Sequence, residues 1–193
     1  MDKNIERIMS IIGSDTSDFR KANTICQEFN ISEDDKQEGE KIIFLDMDGV
    51  MNSFLDYEMK LYEKCVHPIS PRAMKYLNSM IEQTGAKVVL SSVWRGHYDK
   101  PEEFNEEMKE HGFIGECIDF TPHSRNGIRG GEIHDWMKKY ERNGNKIISY
   151  LILDDDSDMM LWQKDNFINV DNSVGLTSNN VYKGVWILNG RKT

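Results

Sequence analysis

From Lys41 onward, short β-branched runs alternate with stretches of helical periodicity, and this alternation limits the chain to a parallel sheet covered by helices. The strand candidates are KIIFLD (41–46), AKVVLS (86–91), ECIDF (116–120), ISYLILD (148–154) and NFINV (166–170). The helices between them carry readable ends. Ser70 and Pro71 form a cap and first-turn pair, Met74, Leu77, Met80 and Ile81 repeat at helical spacing, and Gly85 follows as a stop. A second helix starts at Pro101 with Glu102 and Glu103 suiting its dipole, sets Phe104 and Met108 on one face, and closes at Gly112. A third carries Ile133, Trp136, Met137 and Tyr140 ahead of Gly144. The expected fold is a three-layer, Rossmann-like α/β domain over 41–193.

Residues 1–40 differ in character. They are polar, with modest helical patterns in NIERIMSII and DFRKANTICQEFNIS and a charged stretch SEDDKQEGEK, which reads as a small helical appendage and linker. No run approaches the roughly 18 apolar residues of a membrane span, and the N-terminus lacks the apolar core of a secretion signal. Cys26, Cys65 and Cys117 are odd in number and far apart, with no C-x-x-C pair, so neither a disulfide framework nor a zinc knuckle is expected. A cytoplasmic, reducing setting fits these features, and no membrane partner is expected.

The stretch IIFLDMDGVMN (42–52) ends a buried-looking strand on Asp46 and Asp48, with Gly49 behind them. Like charges at close range resist joint ionisation unless a cation or a shared proton compensates. In a doubly wound sheet, ligands bind beyond the carboxyl ends of the strands. Asp46 and Asp48 fall at the end of the first strand, Ser91 and Ser92 at the end of the second, and Asp154, Asp155, Asp156 and Asp158 at the end of the fourth. Hard oxygen ligands without nearby histidine or cysteine favour Mg2+ over zinc. Such a cluster suits nucleophilic attack by one carboxylate on phosphorus, with a neighbouring acid protonating the leaving oxygen and later activating water.

DMDGV, VVLSS and LILDDDSD, in that order, resemble the first, second and fourth motifs of the haloacid dehalogenase (HAD) superfamily of aspartate-nucleophile phosphatases. More narrowly, FLDMDGVMN, VVLSSVWR, RGGEIHDW, YLILDDDSDM and VDNSVGLT resemble the HAD domain attached to Swiss Army Knife RNA repair proteins. The resemblance implies that Asp46 is the nucleophile that becomes an aspartyl phosphate and is also a metal ligand. It makes Asp48 the general acid and base, with its backbone carbonyl in the metal shell, and Gly49 the residue that permits the tight turn. Ser91 would bond a phosphoryl oxygen, with Ser92 as the alternative hydroxyl. Asp154 and Asp155 would hold the cation, with Asp158 a further candidate. The family's third motif supplies a lysine or arginine; Arg129, 25 residues before Asp154, stands about where it belongs, with Lys138 as an outsider. Arg95 would clamp a substrate phosphate through its planar fork or serve as a surface salt-bridge partner.

Forty-two residues separate Asp48 from Ser91 and must hold a helix, which leaves room for a flap and no large cap domain. An open site admits bulky substrates. The net charge is -9, but residues 1–40 carry -5 of it and six more acids lie in the two Asp clusters, so the rest of the body is about +2 and tolerates a phosphorylated partner. The expected function is an Mg2+-dependent phosphomonoesterase acting on a phosphorylated RNA or DNA end or a nucleotide. The alternatives are a nucleotidase for free mononucleotides and a catalytically silent interaction module. Trp94 reads as a packing residue, the five histidines show no ligand spacing, and the segment Gly175 to Thr177 either lines the site or turns the chain. Oligomeric state is not legible.

Overall fold

The computed structural model describes residues 39–58, 69–124 and 127–190. The expected N-terminal appendage, apart from Gly39 and Glu40, lies outside these residues, as do Cys26 and Cys65; Cys117 is a buried free thiol. Among the described residues no helix is long and apolar enough to cross a membrane.

All five expected strands form: β1 Glu40–Leu45, β2 Lys87–Leu90, β3 Cys117–Phe120, β4 Ile147–Asp154 and β5 Phe167–Asn169. They make one sheet of order β3-β2-β1-β4-β5, every pairing parallel. The helices are α1 Phe54–Glu58, α2 Pro71–Thr84, α3 Pro101–Glu110, α4 Arg129–Arg142 and α5 Ser178–Leu188. The ends of α2 follow the reading of its sequence: the Ser70 hydroxyl accepts from the Ala73 N–H, and Gly85 adopts φ 68 while its N–H reaches the Ile81 carbonyl.

The two sheet faces are covered differently. Ile42, Phe44, Val89 and Ile152 share one face and pack with Ile133 and Trp136 of α4. Phe44 meets the Trp136 ring edge-on at 5.4 Å, a favoured aromatic geometry. On the other face α2 packs on α5, and α5 packs against β4. There Gly184 allows close contact, since a Cβ would stand 2.7 Å from the Met80 sulfur and 2.9 Å from Leu151. That glycine hides α5 in the sequence, because mid-helix glycine argues against a helix, while Val181, Val185 and Leu188 are buried at i, i+4 and i+7. The short α1 is likewise not apparent from periodicity.

The chain leaves β1 to build β2 and β3 on one flank, then returns to build β4 and β5 on the other. This reversal opens a crevice at the carboxyl ends of β1 and its two neighbours. The described part of the β1–β2 connection forms α1 and α2 and no further domain, and β2 to β4 is taken up by a short 3-10 turn, α3, β3 and α4.

Candidate active site

Strand register builds the site. Ile42 to Leu45 pair with Lys87 to Leu90 on one side, and Lys41 to Leu45 with Ser149 to Leu153 on the other. One more step sets Ser91, Asp46 and Asp154 side by side across β2, β1 and β4. Backbone bonds carry the ladder that far: the Ser91 N–H reaches the Leu45 carbonyl at 2.9 Å, and the Asp46 N–H the Leu153 carbonyl at 2.9 Å. Because alternate residues of a strand share a face, these three side chains follow Val89, Phe44 and Ile152 toward the α4 side.

Helix α4 begins over that edge with Arg129. Its guanidinium donates from Nε to Asp154 Oδ2 at 3.2 Å, from one terminal nitrogen to Asp46 Oδ1 at 3.3 Å, and from the other to Glu132 Oε2 at 3.4 Å. Asp158 holds the helix start, since its Oδ2 accepts the Arg129 N–H at 2.7 Å and its carbonyl the Gly130 N–H at 3.2 Å. A negative charge at a helix N-terminus is favourable. Lys138, the other basic candidate, is exposed farther along α4.

The donor set fits a hard cation. Asp46, Asp154 and Asp155 each offer a carboxylate oxygen, and these oxygens all lie within 4.8 Å of one another, with no histidine or cysteine in the group. Burial, and then the Asp154 carboxylate, push the Asp46 carboxyl up to about 8, against the pull of Arg129 and a hydrogen bond from the Ser92 side chain. Burial raises Asp154 to about 6, opposed by the Asp156 N–H and by Arg129. Without a cation the pair resists joint ionisation. Asp158 lies outside the three-carboxylate group; its Oδ1 is buried with no hydrogen-bond partner among the described residues.

Gly49 has a specific reason to be glycine. Its φ is +75, and a Cβ there would stand 2.4 Å from Asp155 Oδ2. That same oxygen accepts from the Asn172 side chain at 3.2 Å. Asp48, two residues past Asp46, is exposed, and its carboxylate accepts from the Trp94 indole N–H at 2.9 Å and the Asn52 amide at 3.0 Å. Trp94 is thus buried, as a packing residue would be, yet it also fixes the orientation of the acid.

Ser91 has a fully buried hydroxyl with no partner among the described residues, whereas Ser92 bonds Asp46. Arg95, read from the sequence as a phosphate clamp or a surface salt-bridge partner, sits in a buried ion pair with Glu132. Only 6% exposed, it donates from one terminal nitrogen to the carbonyls of Ser91 at 3.2 Å and Ser92 at 2.7 Å. The other terminal nitrogen meets Glu132 Oε2 at 2.7 Å and His123 Nδ1 at 3.0 Å. Both terminal nitrogens are thus engaged inside the protein, while the buried Nε finds no hydrogen-bond partner among the described residues. The segment from Gly175 to Thr177 turns the chain into α5. The Leu176 N–H bonds the Val50 carbonyl behind Asp48, and Thr177 caps α5. Glu132 and Asn172 escaped the sequence reading; their place inside RGGEIHDW and VDNSVGLT was the available signal.

The sequence matches the family described as "HAD domain in Swiss Army Knife RNA repair proteins" over residues 42–181. No curated protein and no solved structure matches it.

Proposed function

Because the chain belongs to the family of HAD domains found in Swiss Army Knife RNA repair proteins, which implies a phosphatase-type hydrolase, we propose that it is an Mg2+-dependent phosphomonoesterase working through an aspartyl phosphate on a phosphorylated nucleic acid end or a nucleotide. One observation carries this reading: Ser91, Asp46 and Asp154 stand in register on three adjacent strands, with Arg129 bonded to both carboxylates.

In this mechanism an Asp46 oxygen attacks phosphorus while the bond to the leaving oxygen breaks, and Asp48 gives that oxygen its proton. Water then attacks the phosphorus of the acyl phosphate, yields its proton to Asp48, and frees Asp46 and inorganic phosphate. Arg129 offsets the charge of Asp46 and of the phosphoryl oxygens, and the Ser91 hydroxyl gains a partner that it lacks among the described residues. Asp46, Asp154 and Asp155 would hold the cation, which would supply neutralisation of the attacking carboxylate and the phosphoryl group. Asp158 supports this set by seating the α4 N-terminus, and its unpartnered Oδ1 keeps it a candidate contact for a water of the metal shell.

Nothing among the described residues forms a folded lid, which favours a long substrate over a free mononucleotide. Phosphate release from p-nitrophenyl phosphate should require Mg2+ and vanish in Asp46→Asn; a panel without turnover on any phosphomonoester would leave a silent module instead. Faster turnover of mononucleotides than of a 3'-phosphorylated oligonucleotide would make it a nucleotidase.

A further inference from the structure

Glu132 and Arg95 are 4% and 6% exposed, and neither belongs to the carboxylate group that would hold a cation. A buried ion pair contributes little to stability after both partners are desolvated, so its presence calls for a geometric reason. Glu132 lies three residues after Arg129 on α4, hence on the same side of the helix. Its Oε2 receives both arginines, Arg95 at 2.7 Å and Arg129 at 3.4 Å, and its Oε1 accepts the Ser124 N–H at 2.9 Å. Arg95 in turn grips the carbonyls of Ser91 and Ser92. One carboxylate therefore joins the arginine that faces the nucleophile to the backbone that presents the hydroxyls.

The consequence for Arg129 is directional. Its three nitrogens go to three different carboxylates, and only the Glu132 contact comes from its own helix. One carboxylate also serves two guanidiniums, so the trio keeps a net positive charge beside Asp46 and Asp154. We infer that Glu132 is a positioning residue: it aims Arg129 at the nucleophile and, through Arg95, holds the Ser91–Ser92 turn, so that both halves of the phosphoryl site keep one geometry. This rests on the phosphomonoesterase reading.

Glu132→Asp keeps the charge and withdraws it by one methylene, while Glu132→Gln keeps the length and removes the charge. With p-nitrophenyl phosphate and Mg2+, each variant should lose about 10- to 100-fold in kcat/KM, and the inhibition constant of inorganic phosphate should rise about fivefold or more. A merely structural role would reduce the folded fraction, lowering kcat while leaving that inhibition constant unchanged. An unchanged constant in a folded variant would overturn the inference. If Glu132→Gln does not fold, Glu132→Asp decides. Should the wild-type protein release no phosphate, the functional reading itself fails. The positioning claim is then decided by the Arg129 Nε–H NMR signal, assigned by its loss in Arg129→Lys: a shift in Glu132→Asp supports it and an unmoved signal refutes it.

Discussion

The two ends of the sheet are built on opposite terms. At the carboxyl end Asp46, Asp154 and Arg95, close to strand ends, and Glu132, on the first turn of α4, are buried charges. At the amino end lies a groove of about 260 Å³ lined by Met137, Ile147, Tyr150 and Ile187 together with the acidic Glu141 and Asp165. An apolar hollow is the usual first guess for a binding site. The proposed site sits at the other end, where groups costly to bury have been gathered and the Asp46 and Asp154 carboxyls pushed upward. Desolvated charge is the more informative sign, because packing explains a groove but does not explain two adjoining buried carboxylates.

The contrast can be broken most sharply at Asp46. Asp46→Asn should lower phosphate release by about 10⁴-fold or more while the metal-free protein keeps or gains thermal stability, since a repelled buried charge is gone. Trp136→Ala, below the site, should do the reverse kind of damage. Loss of its packing on Phe44 and Ile42 should cost about 3–5 kcal/mol in denaturant unfolding. Asp154→Asn should weaken Mg2+ binding by about 100-fold in calorimetry, with little loss of fold.

A pH series separates the ends further. With Asp46 at about 8 and Asp154 at about 6, the metal-free folded state binds more protons than the unfolded chain above pH 4 or so. Its stability should therefore fall as pH rises from about 4 through 8, and Mg2+ should restore more of it at pH 8 than at pH 5. Apparent Mg2+ affinity should drop about tenfold per pH unit from 8 to 6, as each ion displaces the Asp46 proton, and more steeply below 6, where Asp154 is protonated too. A flat affinity between pH 6 and 8 would contradict the paired-carboxylate account. The smallest effect belongs to the amino end: Met137→Ala should cost about 1 kcal/mol and leave turnover unchanged.

Much of the carboxyl edge could be read in advance, for a local reason. A strand ending in Asp46-x-Asp48, a second ending in Ser91-Ser92 and a fourth ending in Asp154-Asp155 place their chemistry by chain direction alone, since parallel strands end together. Arg129 was legible only through its spacing from Asp154 and the similarity of RGGEIHDW. Asp158 was readable as an acid near the cluster, but its bond to the Arg129 N–H joins residues far apart in sequence. The same holds for Asn172 on Asp155, and for Trp94 on Asp48.

The alternation of apolar runs and helical stretches was enough to determine a parallel sheet, its strands and the edge where acids collect, because periodicity and chain direction are written residue by residue. What folding alone decided is who neutralises whom. Arg95 turned inward to Glu132, Arg129 was shared among three carboxylates, and Ser92 rather than Ser91 met Asp46. Those pairings depend on helix α4 landing over β1, and the energy of a buried charge depends on its neighbours in space, which no local pattern records.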